Sequence, residues 1–162
     1  MFGEGSKTAT IMFIGEAPGF NEDRQGRPFV GRAGKILDEL LASVHLKRED
    51  IYIANILKCR PPDNRNPERH EIESCSEYLD AQIEAISPKV LVPLGNFAFQ
   101  FLCQKYGLTS EKISAVHGKM FNITTLFGTI RIVPMFHPAV ATYNPTKKTI
   151  LLEDMKALLQ FV

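Results

Sequence analysis

Three stretches of the sequence collect side chains able to do chemistry. The first, GEAPGFNEDRQGRPFVG from Gly15, carries the acids Glu16, Glu22 and Asp23, the bases Arg24 and Arg27 with Arg32 just beyond, and Phe29 between Pro28 and Val30. A loop this long is functional or disordered more often than it is a plain connector, and its glycines let a ligand approach the backbone closely. The second, RPPDNRNP after Cys59, is crowded by Lys58, Arg60, Arg65 and Arg69; the third, FHPAVATYNPTKK, holds His137, Lys147 and Lys148. Cations gathered in two loops give a nearly neutral protein a local place for nucleic-acid phosphates, although a merely solvated charged loop reads the same way. Neither GxGxxG nor GxxxxGK follows the first apolar run, which excludes dinucleotide-binding and P-loop chemistry of the usual kind.

The elements that must carry these loops are legible from periodicity. Residues 9–14 (ATIMFI), 51–56 (IYIANI) and 90–94 (VLVPL) read as buried strands. Residues 33–44 place Ile36, Leu37, Leu40, Leu41 and Val44 at helical spacing, and a second helix starts at Asn66-Pro67-Glu68 and runs to Ser87, where Pro88 stops it. Residues 96–106 form an apolar helix ended by Gly107, and residues 146–159 a closing amphipathic helix. Residues 120–125 and 129–135 flank Phe127-Gly128, either as a hairpin or as two strands of which the second is central. This alternation predicts the α/β class: a three-layer α/β/α sandwich around a central, mostly parallel sheet of about four strands. The three loops then leave the C-terminal ends of strands, where ligands bind in such sheets, and should converge on one site.

With 162 residues, no internal repeat and no linker, the chain reads as a single domain over 1–162 that buries roughly 70% of its unfolded surface. Its 19 Lys and Arg against 18 Asp and Glu leave a net charge of +1, so no global field announces a polyanionic partner. Three cysteines, without a signal peptide or long apolar run, argue against a disulfide framework and for a reducing, cytoplasmic setting with no membrane partner.

GEAPG at 15–19, the Glu22-Asp23 pair, GRPFVGRAG at 26–34, NILKCRPPDNRNP at 55–67 and FHPA at 136–139 resemble, in order and spacing, the family 4 uracil-DNA glycosylases, the iron-sulfur type. The Glu of GEAPG sets the sequence apart from the related family 5. The resemblance implies a monofunctional enzyme, monomeric, that flips uracil out of DNA and hydrolyses its N-glycosidic bond in base excision repair. It implies that Phe29 stacks on the uracil ring, that Asn55 reads its edge, and that Gly15, Glu16 and Ala17 form the pocket wall. His137 would stabilise charge developing on O2, and Glu22, with Asn64 as a second ligand, would position the water where better-known glycosylases use an acid at the place of Ala17. Each residue has a plainer alternative: Phe29 a core plug, Asn55 a strand-end cap, Glu22 an ion-pair partner of Arg24 or Arg27.

Cys59 and Cys75 match two of the four ligands of the family's 4Fe-4S cluster, while Cys103, in an apolar helix, reads as a buried structural thiol. The family's other two ligands form a CxxC unit that this sequence lacks. The favoured expectation is a shortened form of a cluster protein, which would hold iron poorly; the alternative is a cluster-free relative. Two other functions stay open on the residues: a non-catalytic protein that binds uracil or abasic DNA, and a small-molecule nucleoside hydrolase.

Overall fold

The computed structural model describes residues 1–125 and 128–162. Strand β1 (Glu4–Gly5) precedes β2 (Ile11–Gly15), and two helices follow, α1 (Phe20–Gln25) and α2 (Arg32–Ser43). Next come β3 (Tyr52–Asn55), α3 (Arg69–Ile86), β4 (Val90–Pro93), α4 (Asn96–Tyr106) and α5 (Ile113–Val116). The chain closes with β5 (Phe121–Thr125), β6 (Gly128–Ile132) and α6 (Pro145–Met155), the last running on into a 3-10 turn at Lys156–Phe161. The sheet order is β1-β3-β2-β4-β6-β5.

Strands β3, β2, β4 and β6 are mutually parallel, and every residue of β2 and β4 is buried, as unbroken apolar runs in a two-sided sheet require. The expected four strands are therefore present, and the sheet is widened by an antiparallel strand at each edge. Strand β1 is two residues long, too short for any periodicity to announce it. Strand β5 alternates half-buried and exposed residues, and it pairs antiparallel with β6 while β6 pairs parallel with β4, so both sequence readings of this region hold at once. Phe127, where the turn was expected, lies outside the described residues. Strand β6 stops before the expected Met135 because Pro134 offers no amide to the ladder; Met135 rejoins it through an isolated bridge to Leu94.

The chain crosses from β2 to β3 in one direction through α2, then returns over β2 to β4 in the other through α3. With right-handed crossovers this reversal places α2 on one face of the sheet and α3 on the other. Helix α6 joins α2, with Lys148 paired to Glu39, and α4 lies beside α3, with Lys105 2.8 Å from Asp80. The three layers follow, and the reversal opens a crevice at the C-terminal ends of β2, β3 and β4.

Residues 15–32, expected as one long loop, contain the helix α1. Glu22 and Asp23 occupy its first turn and Gly26 caps it in the left-handed region at φ 68°, its amide donating to Glu22 O at 2.8 Å. It buries no residue, so an apolar pattern had nothing to register. Gly34, inside α2, is buried against the main chain of Phe29, and a Cβ there would fall on the Phe29 carbonyl. Alanine would gain about 1 kcal/mol of helix propensity over glycine. Backbone cannot move aside as a side chain can, so overpacking of about 1–3 kcal/mol should override that gain. Gly34→Ala is accordingly expected to lower the unfolding free energy in urea; a more stable variant would mean that the α2–Phe29 contact is loose.

Candidate active site

The crevice holds a cavity of about 190 Å3 lined by Ala17, Gly19, Glu22, Phe29, Ala33, Asn55 and His137. It lies below the size range of sites for drug-like ligands and suits a single ring. A larger cleft of about 540 Å3 beside Phe2, Tyr52, Tyr78 and Gln82 flanks the β1 edge, so size does not mark the site; the convergence of three strand ends does. Phe29, Asn55, Glu22 and His137, drawn from three separate stretches of sequence, meet here.

Asn55 ends β3 opposite Gly15 of β2 and is 2% exposed. Its Oδ1 is buried without a hydrogen-bond partner and lies in the space that a Cβ on Gly15 would occupy. Beyond the strands the pairing continues, with Ile56 N donating to Gly15 O and Leu57 N to Glu16 O, both at 3.0 Å; of the three expected wall residues Gly15, Glu16 and Ala17, only Ala17 lines the cavity, because the carbonyls of the other two are spent on this pairing. Burial raises the pKa of the Glu16 carboxyl. Lys58, expected among the phosphate-binding cations, is turned inward. Its Nζ donates to Asn55 O at 2.9 Å and to Gln82 Oε1 at 2.7 Å, and burial lowers its pKa to about 8.

Phe29 is 6% exposed yet stands in a left-handed conformation, φ 52°, that a bulky residue adopts only when its surroundings impose it. Arg48 is the imposing group: its guanidinium donates to Pro28 O at 2.9 Å and Phe29 O at 2.5 Å, and pairs with Asp38 at 2.6 Å. Nothing in the sequence singled out Arg48, because its partners are main-chain carbonyls nineteen and twenty positions away. The Phe29 ring stacks on His137, with centroids 5.5 Å apart and planes inclined by 27°.

Glu22 reaches from α1 so that Oε1 accepts from Val30 N at 3.0 Å and Gly31 N at 2.9 Å, while Oε2 faces Gly19. Among the described residues no donor reaches Oε2. His137 Nδ1 accepts from Ala139 N at 3.2 Å, which leaves the proton of the neutral ring on Nε2. Burial holds its pKa down at about 4, against a small opposing effect of Glu22. The cavity thus presents an aromatic face, an unpaired amide oxygen, a neutral imidazole with one N–H, and a carboxyl with a free oxygen.

The family model of the Uracil DNA glycosylase superfamily matches residues 2–159. The chain belongs to that superfamily. It is 46% identical over 156 residues to the Type-4 uracil-DNA glycosylase of Archaeoglobus fulgidus, covering 96% of this chain and 78% of the relative. It is 47% identical over 155 residues to that of Saccharolobus solfataricus, covering 95% and 72%. Identity to the Type-5 uracil-DNA glycosylase of Pyrobaculum aerophilum is 30% over 161 residues, covering 90% and 68%. This glycosylase-superfamily chain is therefore more similar to these two Type-4 relatives than to the Type-5 one.

Asn64 does not line the cavity; its Oδ1 accepts from Arg60 Nε at 2.7 Å. Several of the loop cations are also engaged locally. Arg65 pairs with Glu71 at 2.8 Å, Arg69 with Glu73 at 2.8 Å and Lys148 with Glu39, leaving the phosphate-binding potential of these loops partly neutralised. Cys59 and Cys75 line one cavity of about 210 Å3 with Leu57, Arg60, His70 and Ser74. Two thiols are half of the four thiolates that a 4Fe-4S cluster requires, and among the described residues no three His, Cys, Asp or Glu side chains gather into a metal-binding group. Cys103 is buried in α4. No described helix is long and apolar enough to cross a membrane.

The state of His137 can be read from stability. Its folded-state pKa of about 4 lies below the 6.5 of an unperturbed ring, so the unfolded chain takes up the proton first. Stability is then lost as pH falls from about 6.5 towards about 4, by at most about 3 kcal/mol since the ring is partly exposed to its cavity. His137→Gln should lack this component, so in urea unfolding at pH 7 and pH 4 the wild type should lose more stability than the variant. Parallel losses would mean that the ring is charged in the folded protein.

Proposed function

We propose that this chain excises uracil from DNA by base flipping and hydrolysis of the N-glycosidic bond, initiating base excision repair. The observation that carries the reading is the orphaned Oδ1 of Asn55. A buried acceptor without a donor costs about 1–3 kcal/mol, and uracil N3–H is a donor that would repay it. The same amide's NH2 would donate to O4. Cytosine carries a bare acceptor at N3 and an amino group at C4, so both contacts would turn repulsive, and sites built to pair a polar group reject the mismatch strongly. The Type-4 relatives, uracil-DNA glycosylases by name, support the substrate.

In this reading the flipped base stacks on Phe29 beside Ala17 of the cavity wall. The bond from C1′ to N1 breaks with its electron pair passing to uracil, and His137 Nε2–H donates to O2 as negative charge collects there; one such donor is worth about 3–4 kcal/mol. A water held by Glu22 Oε2 adds its oxygen to C1′, and its proton passes to the carboxylate. Among the described residues no side chain lining the cavity is an amine, so no Schiff base forms and the abasic strand stays uncut. The chain acts as a monomer in the cytoplasm, where its free thiols stay reduced.

The test is release of uracil from a uracil-containing oligonucleotide, with thymine and cytosine strands as controls. His137→Ala should lower kcat about 100- to 1000-fold with little change in DNA affinity. Asn55→Asp should lose most uracil excision because a carboxylate has no N–H for O4. Wild-type binding without release would favour a non-catalytic binder, and release from free deoxyuridine alone would favour a nucleoside hydrolase.

Cys59 and Cys75 are in this reading two thiolate ligands of a 4Fe-4S cluster, which when bound would tie the second loop to α3. No step of excision passes through it. After treatment with iron and sulfide the 162-residue chain should hold well under one cluster per chain, and Cys59→Ser with Cys75→Ser should abolish the visible absorption that remains. Full occupancy, or absorption kept by the double variant, would assign the metal elsewhere.

A further inference from the structure

Phe20 is an exposed aromatic with no partner in the core. It follows Gly19 and precedes Glu22 by two positions, both of which line the cavity, so the residue adjoins the site along the chain while 53% of it stays open. Two guanidiniums are drawn over that ring: the Cζ atoms of Arg24, one turn further along α1, and of Arg60, from the second loop, lie 5.5 and 5.3 Å from its centroid. Arg60 is held there by Asn64 Oδ1 at 2.7 Å and by its own amide donating to Asp23 Oδ1 at 3.4 Å. Among the described residues neither guanidinium pairs with a carboxylate, unlike Arg65, Arg69 and Lys148. An exposed ring attended by two uncompensated cations is an arrangement for a flat, anionic polymer, since aromatic and guanidinium faces both stack on bases and the charges meet phosphates.

We propose that Phe20, Arg24 and Arg60 form a second nucleotide subsite, in which the base adjacent to the flipped uridine stacks on the Phe20 ring while the two arginines contact the phosphates beside it. The inference rests on the uracil-excision reading for the identity of the neighbouring nucleotide. It adds a substrate contact outside the uracil cavity, and it makes an unstacked, single-stranded flank the better ligand, because a base paired within a duplex has no free face to offer. If Phe20 were only a surface ring covered by its arginines, binding would not depend on the neighbouring base.

The experiment measures the affinity of wild type, Phe20→Ala and Phe20→Trp for single-stranded uracil oligonucleotides by fluorescence anisotropy. The base on the 5′ side, the 3′ side or neither is replaced by an abasic spacer. Removing the stacked base should weaken wild-type binding about 5- to 150-fold on one side only. Phe20→Ala should bind the intact strand that much more weakly and be indifferent to the spacer, whereas Phe20→Trp should retain the wild-type dependence. Arg24→Gln and Arg60→Gln should each reduce the slope of log affinity against log salt by about 0.7. Equal spacer effects in wild type and Phe20→Ala, or a salt slope unmoved by both arginine variants, overturns the subsite. Uracil release assayed on the same strands tests the excision reading separately, since the binding arm reads the subsite whether or not turnover occurs.

Discussion

An amide oxygen buried at the end of a parallel strand with no donor to meet it is the constraint on which the rest of this site depends. Asn55 Oδ1 occupies space that exists only because Gly15, its partner across β2 and β3, has no Cβ. Lys58 ties down the main-chain oxygen of the same residue, so the side chain cannot relax by a shift of the strand end. Such a group is tolerated because its cost, about 1–3 kcal/mol, is small beside the core of fully buried residues along β2, β3 and β4 that holds it in place.

The opposite wall is held by a different means. Phe29 sits in a backbone conformation that costs of order 1–3 kcal/mol, and its carbonyl is held by Arg48, itself paired with Asp38, and packed against Gly34. Helix α2 therefore serves the site twice, packing the core with Leu37, Leu40 and Leu41 and receiving the Phe29 carbonyl against Gly34. A phenyl ring lining an open cavity needs this kind of restraint, since an unheld ring would fill the space itself.

Charge is distributed with the same economy. The net charge is +1, and Arg65, Arg69 and Lys148 are each paired with a neighbouring acid, so among the described loop cations less charge is left for phosphates than the sequence suggests. His137 is kept neutral by burial and oriented by a main-chain amide, which suits a hydrogen-bond donor to a developing anion better than a permanent charge bound as tightly to the ground state.

The order of strands and long helices was legible in the sequence because buried parallel strands and amphipathic helices write their periods in apolar residues, as 90–94 and 33–44 do. The convergence of Glu22, Phe29, Asn55 and His137 was legible too, through motifs at strand ends. Elements that bury nothing were not: β1 and α1 leave no apolar pattern, and β6 ends where a proline removes a donor. Only the tertiary structure turned Lys58 from a surface cation into a buried clamp, moved Asn64 onto Arg60, and brought Arg48 to the carbonyls of Pro28 and Phe29. The physical reason is common to all three. A chain's residue types set which groups can donate and accept, but partners that are distant in sequence or belong to the main chain carry no signature there, and long-range packing alone decides which of them meet.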